Sequence, residues 1–286
     1  MFSRADVGRY LLGGVALGAL LTGGALEAQE RTLTSSRQLQ GSEPMRLEVE
    51  AGAGELHVEP LDEQDLLYQM ELRYDERRAT PLTEFDSASR TLRLGLRGRQ
   101  GHSGRGREAS NTEVELTREV PIDLALRFGA GEASFDLGGL RVRRLSVETG
   151  ASETMLRVDE PNRESPTLVE MKAGASEFEA AGLGNLRADR YLFEGGVGMA
   201  TLDFGGVWDA DATAEIRMGM GALVLRFPRS VGVRIDRSAF LSRFEGDGFS
   251  RRDGQEVSDN WDSARHHLTI DLDAALGSVE VHWIDD

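Results

Sequence analysis

Cysteine is absent from the 286-residue chain, and aromatic residues make up only 6% of it. Without cysteine the protein has no disulfide bonds, no thiolate metal site, no cysteine nucleophile and no lipoprotein anchor. The few aromatic side chains fall mostly at positions expected to be buried, which favours packing over sugar binding. The fold must therefore depend on its hydrophobic core.

Basic residues are also scarce, because 33 Lys and Arg stand against 49 Asp and Glu, for a formal net charge of −16. A surface with this excess of negative charge repels nucleic acid and other anionic polymers. Nucleic acid is therefore not an expected partner. Cations and cationic molecules are the charged ligands that such a surface tolerates.

Long hydrophobic runs are missing except at the N-terminus. There Arg4 and Arg9 precede an uncharged run over residues 10–26, and a small-residue stretch ends at Ala28. This pattern predicts a secretory signal peptide over residues 1–28, cleaved after Ala28 or Ala25, with export to the periplasm or the cell exterior. The alternative is a retained N-terminal membrane anchor. No membrane span is expected once the signal is removed.

Glycine is abundant, with 34 residues, and much of it belongs to a repeat. Seven times an apolar alternation enters a small-residue turn, usually Gly-Ala-Gly/Ser-Glu, and continues as a second alternation. The five central turns begin at residues 129, 150, 174, 196 and 219, at steps of 21, 24, 22 and 23. The third turn position is always small, which indicates a positive φ or a close backbone approach: Gly54, Gly131, Ser152, Ser176, Gly198, Gly221 and Gly277.

Apolar residues alternate with polar ones on both sides of each turn, as at Leu124 and Leu126 before a turn and Phe135 after it. A period of two predicts strands with one buried face. With a repeat of about 22 residues, it predicts an all-β fold, a single-stranded parallel β-solenoid whose rungs bury their apolar faces against each other. A β-sandwich of hairpins is the alternative architecture, and helical signal is almost absent.

The regularity of the repeat divides the chain. Residues 121–286 are predicted to form the regular β-solenoid, and residues 29–120 a less regular N-terminal β region that is continuous with it. The Arg- and Gly-rich stretch 97–111 is predicted to be a mobile loop. Residues 243–259 lack apolar periodicity and are interpreted as a second insertion.

The repeated turns, together with the ending Asp259-Asn-Trp261-Asp-Ser-Ala264 and the later Gly277-Ser-Val279-Glu-Val281, resemble the bacterial toast-rack proteins. These exported domains include the C-terminal domain of LiaF-like cell-envelope stress proteins. The resemblance covers about residues 40–286. It implies a β-solenoid that acts through protein contacts, and it supplies no catalytic residues. LiaF-like proteins carry membrane helices ahead of this domain, where this chain has a predicted signal peptide.

A column of acidic residues follows three consecutive turns, at Glu132, Glu153 and Glu177. In-register stacking would place these carboxylates about 5 Å apart, where each pair repels by a few tenths to about 1 kcal/mol. One hypothesis is therefore that the column binds a divalent cation or a cationic partner. The alternative is a solvated turn edge with splayed carboxylates, for which nearby arginines such as Arg141, Arg143 and Arg144 are candidate partners.

Recognisable catalytic and metal motifs are lacking. The five histidines are not spaced for joint chelation, and His266 and His267 would point to opposite faces of a strand. No cofactor is expected. Paired carboxylates at Asp209 and Asp211, and at 271 and 273, would suit a carbohydrate-active enzyme, a polysaccharide lyase or a glycosidase, if they shared one strand face.

These observations predict a non-catalytic, exported envelope protein. It would be a structural or partner-binding module in cell-envelope stress or adhesion, with an envelope protein or polymer as its partner. The carbohydrate-active enzyme is the alternative function.

Overall fold

A computed structural model describes residues 30–99 and 110–285 of the chain, with only the backbone described at 238–242. The predicted signal peptide and residues 100–109 of the Arg- and Gly-rich stretch lie outside the described residues. Within them, no helix has the length and apolar character needed to cross a membrane.

Strands make up nearly all of the regular structure, so the all-β prediction is confirmed. One short 3-10 helix, Leu183–Leu186, is the only helical element of the described part. The strands are β1 (Glu30–Gln38), β2 (Met45–Ala51), β3 (Gly54–Pro60), β4 (Leu66–Asp75), β5 (Ala79–Asp86), β6 (Thr91–Gly98), β7 (Asn111–Leu116), β8 (Ile122–Asp136), β9 (Val142–Arg157), β10 (Val169–Ala181), β11 (Arg190–Asp203), β12 (Ala212–Pro228), β13 (Val231–Gly246), β14 (Phe249–Arg252), β15 (Gln255–Ser258) and β16 (His266–Ile284).

The strands form one open, mixed sheet in the order β1-β4-β7-β3-β8-β9-β10-β11-β12-β16-β13-β15-β14, with β2, β5 and β6 attached through β8. Neighbours from β8 to β13 in this order are parallel. Antiparallel pairs occur towards both ends, such as β5 with β6 and β14 with β15. The purely parallel arrangement predicted from the repeat is therefore wrong for the whole chain.

Short connections explain two of the antiparallel pairs, β5 with β6 and β14 with β15, because a tight turn can join only antiparallel neighbours. β14 and β15 are joined by Asp253 and Gly254, whose φ angles are 51° and 88°. Positive φ at both central residues is the geometry of the favoured two-residue hairpin turn. The segment 243–259, interpreted from the sequence as an irregular insertion, thus contains the end of β13 and this hairpin.

Six of the seven small-residue turns are bends within long strands, and the first lies between two separate strands, β2 and β3. β8 runs without interruption through its turn, and its two halves pair with β2 and β3. The glycine at the third turn position has φ between 112° and 138° in the five copies that carry it. A Cβ on Gly221 would lie 1.8 Å from the carbonyl oxygen of Gly198. The predicted role of these glycines is confirmed, while Ser152 and Ser176 occupy the same position without a positive φ.

The hydrophobic core lies inside the bend, between the two halves of the strands. Aromatic rings line its C-terminal part, with ring centroids 5.5 Å apart for Tyr191 and Phe204 and 5.6 Å apart for Phe204 and Phe227. The aromatic residues predicted to be buried are at most 2% exposed: Phe135, Tyr191, Phe193, Phe204 and Phe227. Packing, not surface binding, therefore accounts for these rings.

Two buried asparagines hold the connections between neighbouring strands. Asn185 Nδ2 donates to the Val158 carbonyl (2.8 Å), and its Oδ1 accepts from the Val207 N–H (2.9 Å). Asn162 makes equivalent bonds to both backbone groups of Val142, at 3.0 and 2.7 Å. Because buried polar backbone groups need partners, these amides stabilise the loops. Neither asparagine was predicted from the sequence, although residues 162 and 185 are separated by one repeat step.

Replacing Gly221 by alanine tests the constraint at the bend. We expect the Gly221→Ala variant to lose about 2 kcal/mol or more in the free energy of unfolding, since it combines an unfavourable φ with a backbone clash. Ser176→Ala is the matched control at the same turn position, expected to change stability by less than about 0.5 kcal/mol. Urea titration of both variants measures the difference, and equal effects would contradict the proposed role of the glycine.

Candidate functional site

The parallel register brings the three predicted acidic residues together. Glu132 of β8 pairs with Glu153 of β9, which pairs with Glu177 of β10. Glu55 of β3 pairs with Glu132 and extends the line to four strands. All four side chains are exposed. We call Glu55, Glu132, Glu153 and Glu177 the acidic row.

The acidic row borders an open depression of about 160 Å³ on the outer face of the sheet. His57 and Glu179 also line it, and Ala133 and Thr154 form its buried floor. Glu55 joins the row because the first turn copy has the same Gly-Ala-Gly-Glu sequence as the β8 turn. The row could therefore have been extended to Glu55 from the sequence, had the pairing of β3 with β8 been known.

The carboxylates of the acidic row form no ion pair with any residue in 30–99 or 110–285. Arg141, which was expected nearby, pairs instead with Glu164 (2.7 Å), and Arg143 pairs with Asp123 (3.7 Å). The interpretation that these arginines neutralise the column is wrong. They precede the bend in β9 or lie just before the strand, on the other half of the sheet.

A second row on the same strands shows that the fold can neutralise such a line of charges. It lies two residues before each bend, and its register partners alternate in sign from strand to strand. Ion pairs along it include Arg127 with Glu148 (3.9 Å) and Glu194 with Lys172 (3.8 Å). Cross-strand pairs of opposite charge stabilise a sheet, whereas like charges destabilise it. We call this the alternating row: Glu50, Arg127, Glu148, Lys172, Glu194, Arg217 and Asp273.

Negative charge continues from the acidic row towards β7. Glu115 of β7 is the register partner of Glu59 of β3, and Asp62 and Glu63 follow in the next connection. Partial burial and then the neighbouring carboxylates, Glu59 first, raise the pKa of Glu115 above its ordinary value. This half of the outer face, from β7 to β10, is therefore an acidic surface.

The carboxylate pairs considered for catalysis do not form a common groove. Asp209 and Asp211 lie in the connection between β11 and β12, so their expected place on one strand face is wrong. Asp209 pairs with Arg187, and Asp211 accepts from the backbone N–H of His267 (2.9 Å). Asp273 belongs to the alternating row.

The histidines and carboxylates within residues 30–99 and 110–285 do not form a metal site. The imidazole of His267 packs against Trp261 with ring centroids 4.5 Å apart, and its Nε2 lies 3.0 Å from the Trp261 carbonyl oxygen. In the described ranges, no three His, Asp or Glu side chains are arranged to hold a metal ion.

The raised pKa of Glu115 has a consequence for stability. Below about pH 4 this carboxyl is protonated in both the folded and the unfolded chain, and it has no effect. As pH rises towards and through the folded-state pKa, the carboxyl ionises in both states. Ionisation costs more free energy in the folded chain than in the unfolded chain, so stability is lost. We therefore expect Glu115→Gln to raise the Tm at pH 7 by about 1 to 3 °C, and to leave it unchanged near pH 3.5.

Thermal unfolding at both pH values measures this difference. The control is Glu280→Gln, which removes one carboxylate outside the acidic surface. An equal rise for both variants at pH 7 would show that net charge, not the surroundings of Glu115, sets the effect.

Comparison with solved structures gives several matches at low sequence identity. A "putative cell adhesion protein" from Clostridium sporogenes ATCC 15579 is 15% identical, with 90% of this chain and 100% of that chain covered and a TM-score of 0.48. A "putative adhesin" from Bacteroides fragilis NCTC 9343 is 11% identical, with 88% and 97% covered and a TM-score of 0.32. No curated protein matches the chain.

A protein-family model gives the assignment. The model described as the N-terminal domain of toast_rack, DUF2154, matches residues 26–179, more than half of the 286-residue chain. The matched range contains four of the seven bends and the whole acidic row. The chain belongs to the toast-rack family.

Proposed function

We propose that this protein is a non-catalytic, exported module of the bacterial cell envelope, which binds a partner through the outer acidic face of its sheet. The observation that carries the proposal is the contrast between the two charged rows. Charges alternate in sign from strand to strand along the alternating row, whereas the four carboxylates of the acidic row have no cationic partner among the described residues. Unpaired like charges oppose folding, so a binding role is a physical reason for their presence.

The proposal includes the organisation of the chain. Residues 29–120 and 121–286 would form one continuous unit, since strands from both ranges pair, as β2 and β3 do with β8. The parallel strands would act as solenoid rungs of about 22 residues. The site of action would be the periplasm or the cell exterior, in envelope stress or adhesion.

A cationic partner molecule suits the acidic row better than a bound metal ion. The carboxylates Glu132, Glu153 and Glu177 stand on separate strands and lack a three-ligand arrangement in the described part of the chain. A calcium titration of thermal stability distinguishes the two ligands. We expect no shift in Tm, whereas a saturable rise that is lost on Glu153→Gln would assign the row to the cation.

Neutralising the acidic row tests the partner-binding function. The triple variant Glu132→Gln, Glu153→Gln and Glu177→Gln removes three charges, each contributing about 0.5 kcal/mol to a cationic contact. We therefore expect about a tenfold loss of affinity for envelope components retained by the immobilised mature protein. The control variant removes three exposed carboxylates outside the acidic surface, at Glu43, Glu160 and Asp285.

The outcomes separate the competing functions. Equal binding by the triple variant and the control would remove the acidic row from the proposed function. Degradation of an envelope polysaccharide by the purified protein, abolished by Asp209→Asn or Asp211→Asn, would replace the binding module with the enzyme.

Export makes its own prediction. When the full chain is produced in a bacterial host, we expect the protein in the envelope or medium to begin at residue 29 or 26, since cleavage follows Ala28 or Ala25. N-terminal sequencing of the fractionated protein measures this. An intact N-terminus in the membrane fraction would indicate a retained anchor instead.

A further inference from the structure

Large hydrophobic side chains are exposed at the bends of three adjacent strands. Val197 of β11, Met220 of β12 and Leu276 of β16 are successive register partners at the second position of their turns. They are 55%, 49% and 41% exposed, and Met199, two residues after Val197, is 48% exposed. We call Val197, Met199, Met220 and Leu276 the apolar ridge.

The exposed large hydrophobic side chains of the described residues are concentrated in the apolar ridge. Among the described side chains, five large hydrophobic residues are this exposed, and Val207 is the one outside the ridge. Single exposed apolar residues are normal, but a contiguous patch marks an interaction surface. Two members are methionines, whose flexible and polarizable side chains adapt to varied partners.

The sequence of the bends does not require this exposure. The same turn position is alanine in the four earlier copies, where it serves the bend equally well: Ala53, Ala130, Ala151 and Ala175. Large side chains therefore appear at the bend only where the sheet reaches β11.

The acidic row ends where the apolar ridge begins. Glu177 of β10 is the register partner of Met199 of β11, and Ala175 is the partner of Val197. Both positions thus change character between the same two strands. At a strand spacing of about 4.8 Å, the seven strands from β3 to β16 extend for about 30 Å along the bend. One side of this surface is acidic and the other side is apolar.

From this arrangement we propose that the apolar ridge and the acidic row together bind a cationic amphipathic segment of a partner protein. The partner's apolar side chains would cover Val197, Met220 and Leu276, while its lysine or arginine side chains would meet the carboxylates of the acidic row. A helix of about 20 residues has the matching length of 30 Å. This inference rests on the proposed partner-binding function and names the chemistry of the partner.

Charge favours a cationic segment over an anionic membrane surface or a second copy of this chain. An anionic membrane surface would be repelled by the acidic row and by the net charge of −16. A second copy that aligned along the same surface would bring the acidic rows against each other. A cationic segment alone is complementary to both parts.

A synthetic peptide provides the test. The probe is a 20-residue helical peptide whose contacting side chains are leucines towards one end and lysines towards the other. Fluorescence anisotropy measures its affinity for the mature protein. Two control peptides replace the leucines by glutamine or the lysines by glutamate. We expect each control to bind wild-type protein at least tenfold more weakly than the probe, a result that needs no protein variant.

Substitutions then locate the site. The ridge variant carries Met220→Gln and Leu276→Gln, and Val207→Gln is its control because Val207 is as exposed and lies outside the ridge. We expect the ridge variant to bind the probe at least tenfold more weakly at both 50 and 300 mM salt, and Val207→Gln to bind as wild type. The triple glutamine variant of the acidic row should weaken binding mainly at 50 mM salt.

The outcomes distinguish this inference from the proposed function. Binding lost in the triple glutamine variant but kept in the ridge variant would overturn the inference and leave the function intact. Loss in neither variant would overturn both. Binding to vesicles of phosphatidylglycerol and phosphatidylethanolamine that is lost in the ridge variant would assign the ridge to lipid. A dimer in sedimentation that is lost in the ridge variant would assign it to a second copy. Either result would overturn the inference.

Discussion

Close backbone approach at the bends is the constraint on which the rest of the structure depends. A Cβ on Gly131, Gly198, Gly221 or Gly277 would lie about 2 Å from a carbonyl oxygen of the preceding strand, so only glycine fits there. The bends of successive strands therefore stack directly on one another. Because the register is parallel, each position of one repeat copy then lies beside the same position of the next.

In-register stacking converts a repeated sequence into rows of side chains. Where a row is charged, like charges on neighbouring strands repel each other. The alternating row avoids this repulsion because its charge changes sign at every strand, as at Glu148, Lys172 and Glu194. The pKa of Lys172 is raised first by Glu170 on its own strand, and Glu194 and Glu148 of the alternating row raise it further. The acidic row keeps like charges together on four strands, which a folded chain tolerates only because these side chains are exposed to water. The two rows thus meet the same stacking constraint in different ways on one sheet.

The sequence analysis predicted the features that depend on local pattern. Period-two alternation identified the strands of the regular repeat, and recurring small residues identified the bends at Gly131 and Gly221. The alternation did not identify β1, β5 or the β14–β15 hairpin. Features that depend on partners far along the chain were missed or misplaced. Glu55 was not assigned to the acidic row, because its neighbour Glu132 is 77 residues away. Arg141 was placed beside the row, but it pairs with Glu164 on the other side of the bend.

The sequence by itself therefore determined the all-β class, the position of each bend and the excess of negative charge, since these follow from residue size, hydrophobic period and composition. Tertiary structure alone decided that β16 inserts between β12 and β13, and that the strand order ends in β1 on one side and in the β14–β15 hairpin on the other. It also decided which side chains become neighbours across strands. Leu276 and Met220 form one exposed ridge because parallel pairing joins residues 56 positions apart. Register between distant strands is a property of the whole core, and no local pattern specifies it.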